Sequence, residues 1–252
     1  MKALILVLRP TQWLKNLILY AAITFNGQLF DQDPFFRATA GFIVFCLLSS
    51  ASYIINDLKD LPWDRNHPVK RYRPLASGSV SKTQALIVAA LLIVIGSYSA
   101  YQLSLPFFLL AASFFLLHIG YTFFLKSMAI FDILMIAFSF SLRGFAGEVL
   151  SSLHIPIWLM LTVIFLSLFI AAAKRHSELL RIVDGSTRPA LTAYRERLLD
   201  FYATTFATAT LISYALFVFF EEPPTLNLYT RELLQFVSPF ALERKWLILT
   251  FP

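Results

Sequence analysis

The sequence predicts an all-α, polytopic transmembrane helical bundle that forms a single domain over residues 1–252. Three observations predict it. Apolar residues (AVILMFWYC) make up 58% of the chain and charged residues 14%, with a mean hydropathy of +0.69. A soluble chain must keep a large polar share on its surface and could not bury so much apolar area. Apolar runs of about 20 residues, the length that crosses a hydrocarbon layer of ~30 Å, recur from one end of the chain to the other. Lys and Arg concentrate in alternate connections between those runs. No stretch rich in Pro, Gly or Ser divides the chain.

The opening MKALILVLRP has an apolar run of only about six residues and no small-residue cleavage site, and Trp13 and Lys15 come next. It reads as a retained cytoplasmic lead-in helix. Complete spans are expected at 13–30, 35–55, 83–102, 105–125, 128–150, 155–173 and 198–220, seven in all. An eighth begins at Trp246 and stops at Pro252 inside an apolar run, so the chain reads as truncated before its last span or spans.

The basic residues orient this bundle. Lys2 and Arg9 lie in the lead, Lys59, Arg65, Lys70, Arg71, Arg73 and Lys82 follow the second span, and Lys126 closes the fourth. Lys174, Arg175, Arg181, Arg188, Arg195 and Arg197 follow the sixth, whereas connections 31–34, 103–104 and 151–154 carry no Lys or Arg. Even-numbered spans therefore end in the cytoplasm, and the N-terminus and both long polar loops, 56–82 and 174–197, belong on that side of the cytoplasmic membrane. Segment 221–245 departs slightly, with Arg231, Arg244 and Lys245. The two long loops lie four spans apart, which suggests a pseudo-repeat of two four-helix halves.

Composition also excludes function classes. The net charge of +6 is better explained by cytoplasmic loops and anionic substrates than by nucleic acid. Cys46 is the sole cysteine, so there is no disulfide framework and no implied redox chemistry. No Gly-rich phosphate loop, Ser-His-Asp arrangement or cysteine metal site is present, and no two histidines have ligand spacing. His118 and His154 read as structural or interfacial, while His67 and His176 sit in the polar loops.

The first long loop carries the chemistry. In SYIINDLKDLPWDRNHPVKRYRPLASG, Asn56, Asp60 and Asp64 are spaced four apart, so a continuous helix would put them on one face. Three hard oxygen donors at a membrane boundary suit Mg2+ shared with a diphosphate. Lys70, Arg71 and Arg73 follow at once and suit its phosphate oxygens. Pro62 cannot donate a helical hydrogen bond, so a kink or helix end is expected there. The plainer alternative is a solvated connector whose acids and bases pair with one another.

Arg143 falls in the middle of the fifth span, where an ionisable side chain costs roughly 2.5 kcal/mol or more and usually faces a cavity. A phosphate-binding cavity that reaches it must run deep, or the span must be broken; pairing with Glu148 is the local alternative. Lys126 reads equally as a snorkelling helix-end lysine, Asp132 as its partner, and Lys15 as an interfacial anchor.

At this point the motifs resemble a known family. Asn56-Asp57-x-x-Asp60-x-x-x-Asp64 is similar to the first aspartate-rich motif of the UbiA prenyltransferase superfamily. Asp64-Arg65-x-His67-Pro68-x-Lys70-Arg71-x-Arg73-Pro74, Tyr121-x-x-x-x-Lys126, Asp132, Arg143 and Lys174-Arg175-x-x-Glu178-Leu179 resemble its decaprenyl-phosphate phosphoribosyltransferase branch, from about Arg9 to Phe220. The resemblance implies a UbiA-type bundle holding an isoprenoid in a lipid-open cavity, with a Mg2+-diphosphate under a cytoplasmic cap. It implies Asn56, Asp60 and Asp64 as metal ligands, and Asp60, Asn56 and Lys126 as catalytic groups. Lys15, Asp57, Asp64, Lys70, Arg71, Arg73, Lys82, Tyr121, Asp132, Arg143, Lys174, Arg175 and Glu178 become substrate contacts. The second loop departs from aromatic prenyltransferases: Lys174, Arg175 and Glu178 stand where a second acid pair would be.

The implied reaction is transfer of 5-phosphoribosyl from 5-phosphoribosyl 1-diphosphate to a polyprenyl, decaprenyl-like, phosphate. Rival expectations are prenyl transfer from a polyprenyl diphosphate to an aromatic or quinone precursor, and transport across the membrane. Lipid is the expected partner; self-association stays open.

Overall fold

The computed structural model describes residues 2–125, 131–180 and 196–220, and every regular element among them is helical. The lead-in helix α1 spans Lys2–Val7. A 3-10 segment, Pro10–Tyr20, continues into α2, Ala21–Phe25. The long helix α3 runs Gln32–Asn66, followed by a 3-10 turn at Lys70–Tyr72. Then come α4, Lys82–Leu103, α5, Leu105–Phe123, α6, Phe131–Ser151, α7, Ile157–Leu180, and α8, Glu196–Phe220. Six of these, α3 to α8, are long and apolar enough to cross a membrane. The expected eighth span at 246–252 lies outside the described residues.

The expected first span, 13–30, is built differently from the others. Eleven residues form the 3-10 run and only five the α-helix after it. A 3-10 helix rises ~2.0 Å per residue against ~1.5 Å for α, so this short segment still reaches ~30 Å, the thickness of the hydrocarbon layer. Such long 3-10 runs are uncommon and need tertiary support. Here α3 and α6 supply it. Trp13 Nε1 donates to Ser50 Oγ at 3.0 Å, Asn16 Nδ2 to Cys46 Sγ at 3.3 Å, and Arg143 Nε to Asn16 Oδ1 at 2.8 Å. Gly147 allows α6 to lie directly on this backbone: a Cβ there would stand 2.2 Å from the Leu19 carbonyl oxygen.

α3 is the central helix. Its 35 residues extend ~52 Å, about 20 Å more than the hydrocarbon layer, so it carries the acidic motif out of the bilayer on one continuous rod. Of the kink or helix end expected at Pro62, the end does not occur: α3 runs on to Asn66. Pro62 is exposed, and water can satisfy the carbonyl one turn back that loses its partner. Against α3 lies α4, which begins in a capping box: Gln84 N donates to Ser81 Oγ at 3.2 Å and Ser81 N to Gln84 Oε1 at 3.0 Å. The buried residues of α4 are all small, namely Ala85, Ala89, Gly96 and Ala100. In lipid, close backbone approach along such a stripe replaces the hydrophobic drive available in water.

The main core cluster packs Leu19, Phe45, Leu48, Phe107, Phe114 and Leu142 from the 3-10 segment, α3, α5 and α6. Large apolar side chains such as Leu86, Leu91, Leu109, Leu116, Leu211 and Ile212 face outward, as lipid-facing surfaces require. Gly147→Ala should lower unfolding stability by about 2 kcal/mol, because its methyl meets backbone that cannot step aside. Gly120→Ala, with nothing within 4 Å of its Cβ, should not. Thermal unfolding in detergent compares them, and equal midpoints would refute the close-approach account.

Candidate active site

A cavity of about 340 Å³ opens where the 3-10 segment, α3, α5, α6 and α7 converge. Two of its lining residues, Gln12 and Lys15, come from the first segment at a spacing of three, and a third, Arg9, is the residue that caps its start. Side chains three apart eclipse on a 3-10 helix, so the whole row faces the cavity, while Asn16 and Leu19 on an alternate row are buried. An α-helical phase would have set Lys15 ~60° away from Gln12. Polar residues every third position after Pro10 were the available signal; assuming an α-helix hid Arg9 and Gln12.

α3 contributes Asn56 and Asp60 to the wall, and Asn56 Nδ2 donates to Asp60 Oδ2 at 3.2 Å. The three-on-one-face expectation divides at this point. Each four-residue step overshoots a helical turn by ~40°, so Asp64 has rotated away from Asn56 and falls in line with Asp57, seven residues back. Neither Asp57 nor Asp64 lines the cavity. Instead they hold arginines that do. Arg9 donates to both Asp57 oxygens, Nε to Oδ2 at 3.1 Å and Nη2 to Oδ1 at 2.5 Å. Arg73 Nη1 donates to Asp57 Oδ1 at 3.2 Å and Asp64 Oδ2 at 2.6 Å. Both carboxylates are nearly sealed from solvent, at 7% and 5% exposure.

Arg143 forms the deep end. It is 2% exposed, and Nη1 donates to the Ser139 carbonyl at 2.9 Å and to Ser139 Oγ at 2.5 Å, in addition to the Nε bond to Asn16. Its guanidinium carbon lies 4.4 Å from the centre of the Phe114 ring. Glu148, the alternative partner, is 2.8 Å from His154 Nδ1 instead. α6 is unbroken, so the cavity is deep: its lining residues on α6 run from Met135 to Arg143, ~12 Å of helix. His118, expected to be structural or interfacial, lines this end with its Nε2 3.0 Å from Ser139 Oγ. Ser52 and Tyr53 also line the cavity and carried no distinguishing signal in the sequence.

From α7 come Lys174 and Arg175, and from α5 Tyr121. Arg175 is buried and Nη1 donates to the Glu178 carboxylate, which is off the wall. Lys70, Arg71 and Lys82 do not line the cavity: Arg71 Nη2 donates to the Tyr72 hydroxyl at 2.7 Å, and Lys82 opens α4. Lys126 and the Asp132 side chain lie outside the described residues. The wall therefore sets Arg9, Lys15, Arg73, Arg143, Lys174 and Arg175 against Asp60 as the acid. That charge pattern suits a ligand with more than one phosphate. No group of three or more His, Cys, Asp or Glu among the described residues could hold a metal unaided. Asn56 and Asp60 offer the one or two protein oxygens that Mg2+ takes when phosphates and water complete its shell.

Residues 17–229 match the sequence model of the UbiA prenyltransferase family. The decaprenyl-phosphate phosphoribosyltransferase of Mycolicibacterium smegmatis is 35% identical over 225 residues, covering 87% of this chain and 71% of that one. The protein of the same name from Mycobacterium tuberculosis is 33% identical over 218 residues, covering 84% and 72%. A UbiA homolog from Archaeoglobus fulgidus, solved bound to DMAPP and Mg2+, superposes with a TM-score of 0.75 at 19% identity, covering 99% of this chain and 88% of that one. At that identity the likeness is one of fold.

The two acid pairs should separate on substitution. Asp57→Ala takes the carboxylate partner from Arg9 and leaves Arg73 with Asp64 alone, which should cost about 2 kcal/mol of stability, whereas Asp60→Ala should cost less than half as much. Denaturation midpoints of the two variants check this, and a larger loss for Asp60→Ala would reverse the assignment.

Proposed function

The chain belongs to the UbiA prenyltransferase family, and from that premise we propose that it is an integral membrane phosphoribosyltransferase. Its substrates are 5-phosphoribosyl 1-diphosphate from the cytoplasm and a decaprenyl-like polyprenyl phosphate from the bilayer. The observation that carries this reading is the basic wall of the cavity, with Lys174 and Arg175 where an acid pair would hold a second metal. Two anionic substrates need such a wall; an aromatic acceptor does not.

A phosphate oxygen of the lipid attacks C1 of the ribose as the bond from C1 to the diphosphate oxygen breaks. The diphosphate leaves with the bonding electron pair, and the product is a polyprenyl-phosphoryl 5-phosphoribose. The nucleophile is already anionic, so no general base is required, and the protein's task is positioning and charge stabilisation. Arg73 on the cavity wall holds the ribosyl donor, while Lys70 and Lys82, expected beside it, stand off the wall. Arg143 and Arg175, with Lys126, hold the lipid phosphate. Arg143 suits that role because Asn16, Ser139 and Phe114 fix its fork in place before substrate arrives. Tyr121, Lys15 and Lys174 complete the walls. Asn56 and Asp60 would hold Mg2+, which neutralises diphosphate charge when bound, whereas Asp64, expected as a third ligand, is turned to Arg73. Asp57 and Glu178 serve through the arginines they orient.

The same reading has seven complete spans and the start of an eighth in the cytoplasmic membrane, as a pseudo-repeat of two four-helix halves, with the N-terminus and both polar loops in the cytoplasm. Prenyl transfer from a polyprenyl diphosphate is the second reading, favoured by the prenyl diphosphate DMAPP bound to the Archaeoglobus fulgidus homolog.

Purified protein with Mg2+, labelled phosphoribosyl diphosphate and polyprenyl phosphate should move label into the organic phase. Asp60→Ala or chelation should reduce this at least ~100-fold, and Arg143→Met at least ~10-fold. Activity confined to polyprenyl diphosphate and an aromatic acid would overturn the phosphoribosyl reading in favour of the second.

A further inference from the structure

Lys59 is not part of the cavity wall, yet it governs one edge of it. The last carbonyls of a helix have no partner within it, and they carry the negative end of its dipole, worth about half a charge. The carboxyl end of α5 lies at the cavity, with Tyr121 and Thr122 of its last turn among the lining residues. Lys59 reaches across from α3 to this end. Its Nζ donates to the carbonyls of Thr122 at 2.7 Å and Phe123 at 3.1 Å, and lies 4.5 Å from the centre of the Phe123 ring. In sequence it is the neighbour of Asp60.

Packing alone does not ask for a cation here. α3 and α5 are already joined deeper in the bundle by Phe45 against Phe107 and Phe114, with ring centres 5.8 and 4.8 Å apart. What the position does ask for is charge control, because bare carbonyls beside Asn56 and Asp60 would repel an incoming anion. Resting on the reading that a diphosphate is held at Asn56 and Asp60, we propose that Lys59 is a positioning residue for that site. It cancels the negative end of α5 and ties Thr122 and Phe123 to the turn that carries Asn56 and Asp60. It acts through α5 and does not touch the substrate.

The test is calorimetric titration of Mg2+ and inorganic diphosphate into the full chain in detergent, for wild type, Lys59→Met and Lys59→Arg. Met keeps the apolar stem over Phe123 and removes the charge. Diphosphate should bind about fivefold more weakly to Lys59→Met, and Lys59→Arg should stay within about twofold of wild type. The unfolding midpoint and the KM for polyprenyl phosphate should be unchanged in both. Wild-type affinity in Lys59→Met, or a parallel loss for diphosphate and lipid with a fallen midpoint, overturns the proposal while leaving the site intact. A wild-type protein that binds no Mg2+-diphosphate overturns the reading of Asn56 and Asp60, and this one with it.

Discussion

A guanidinium sealed inside an apolar bundle sets the terms for everything around it. Arg143 cannot lose its charge at any ordinary pH, so its donors must be met where they stand. Asn16 reaches it from the 3-10 segment, Ser139 from one turn back on α6, and the face of Phe114 from α5. Three elements are thereby fixed to one another by a single side chain. The unusual first segment follows from this, since Asn16 must reach Arg143 on one side and Cys46 on the other. The Gly147 contact follows too, because α6 must lie close enough for that reach.

Nearer the mouth, acids do a different job from the one their spacing suggests. Asp57, Asp64 and Glu178 each face an arginine that belongs to or borders the cavity. A paired arginine keeps the direction of its fork, whereas an unpaired one on a flexible stem would collapse onto the nearest oxygen. The surplus positive charge is thus held in set places. The fold is shared with a UbiA homolog solved bound to DMAPP and Mg2+.

Much of this was legible in the sequence. Six expected spans appear as long apolar helices, because hydropathy over ~20 residues reports directly on the hydrocarbon layer. Asn56, Asp60, Arg73, Tyr121, Arg143, Lys174, Arg175 and Lys15 were singled out and do line one cavity. What the pattern hid was phase and reach. The 3-10 segment Pro10–Tyr20 is tied by hydrogen bonds to residues of α3 and α6 that lie far from it in sequence. The separation of Asp64 from Asp60 is a drift of 40° per step that four-residue spacing conceals. α3 runs beyond residue 55 through polar sequence, where hydropathy falls silent. His118 looked inert because nothing near it in sequence carries its partner, Ser139 on another helix.

The three-residue pitch of the first segment also bears on how this chain can change by insertion and deletion. Gain or loss of a single residue between Arg9 and Leu19 would turn everything beyond it by ~120°. The row containing Lys15 would swing into the core, and a buried row would swing into the cavity. A three-residue change would keep the faces but shift the helix by ~6 Å, out of register with Gly147 and Ser50. Length variation among related chains should therefore be absent from 9–19 and collect in the connections between helices, where no face depends on the count.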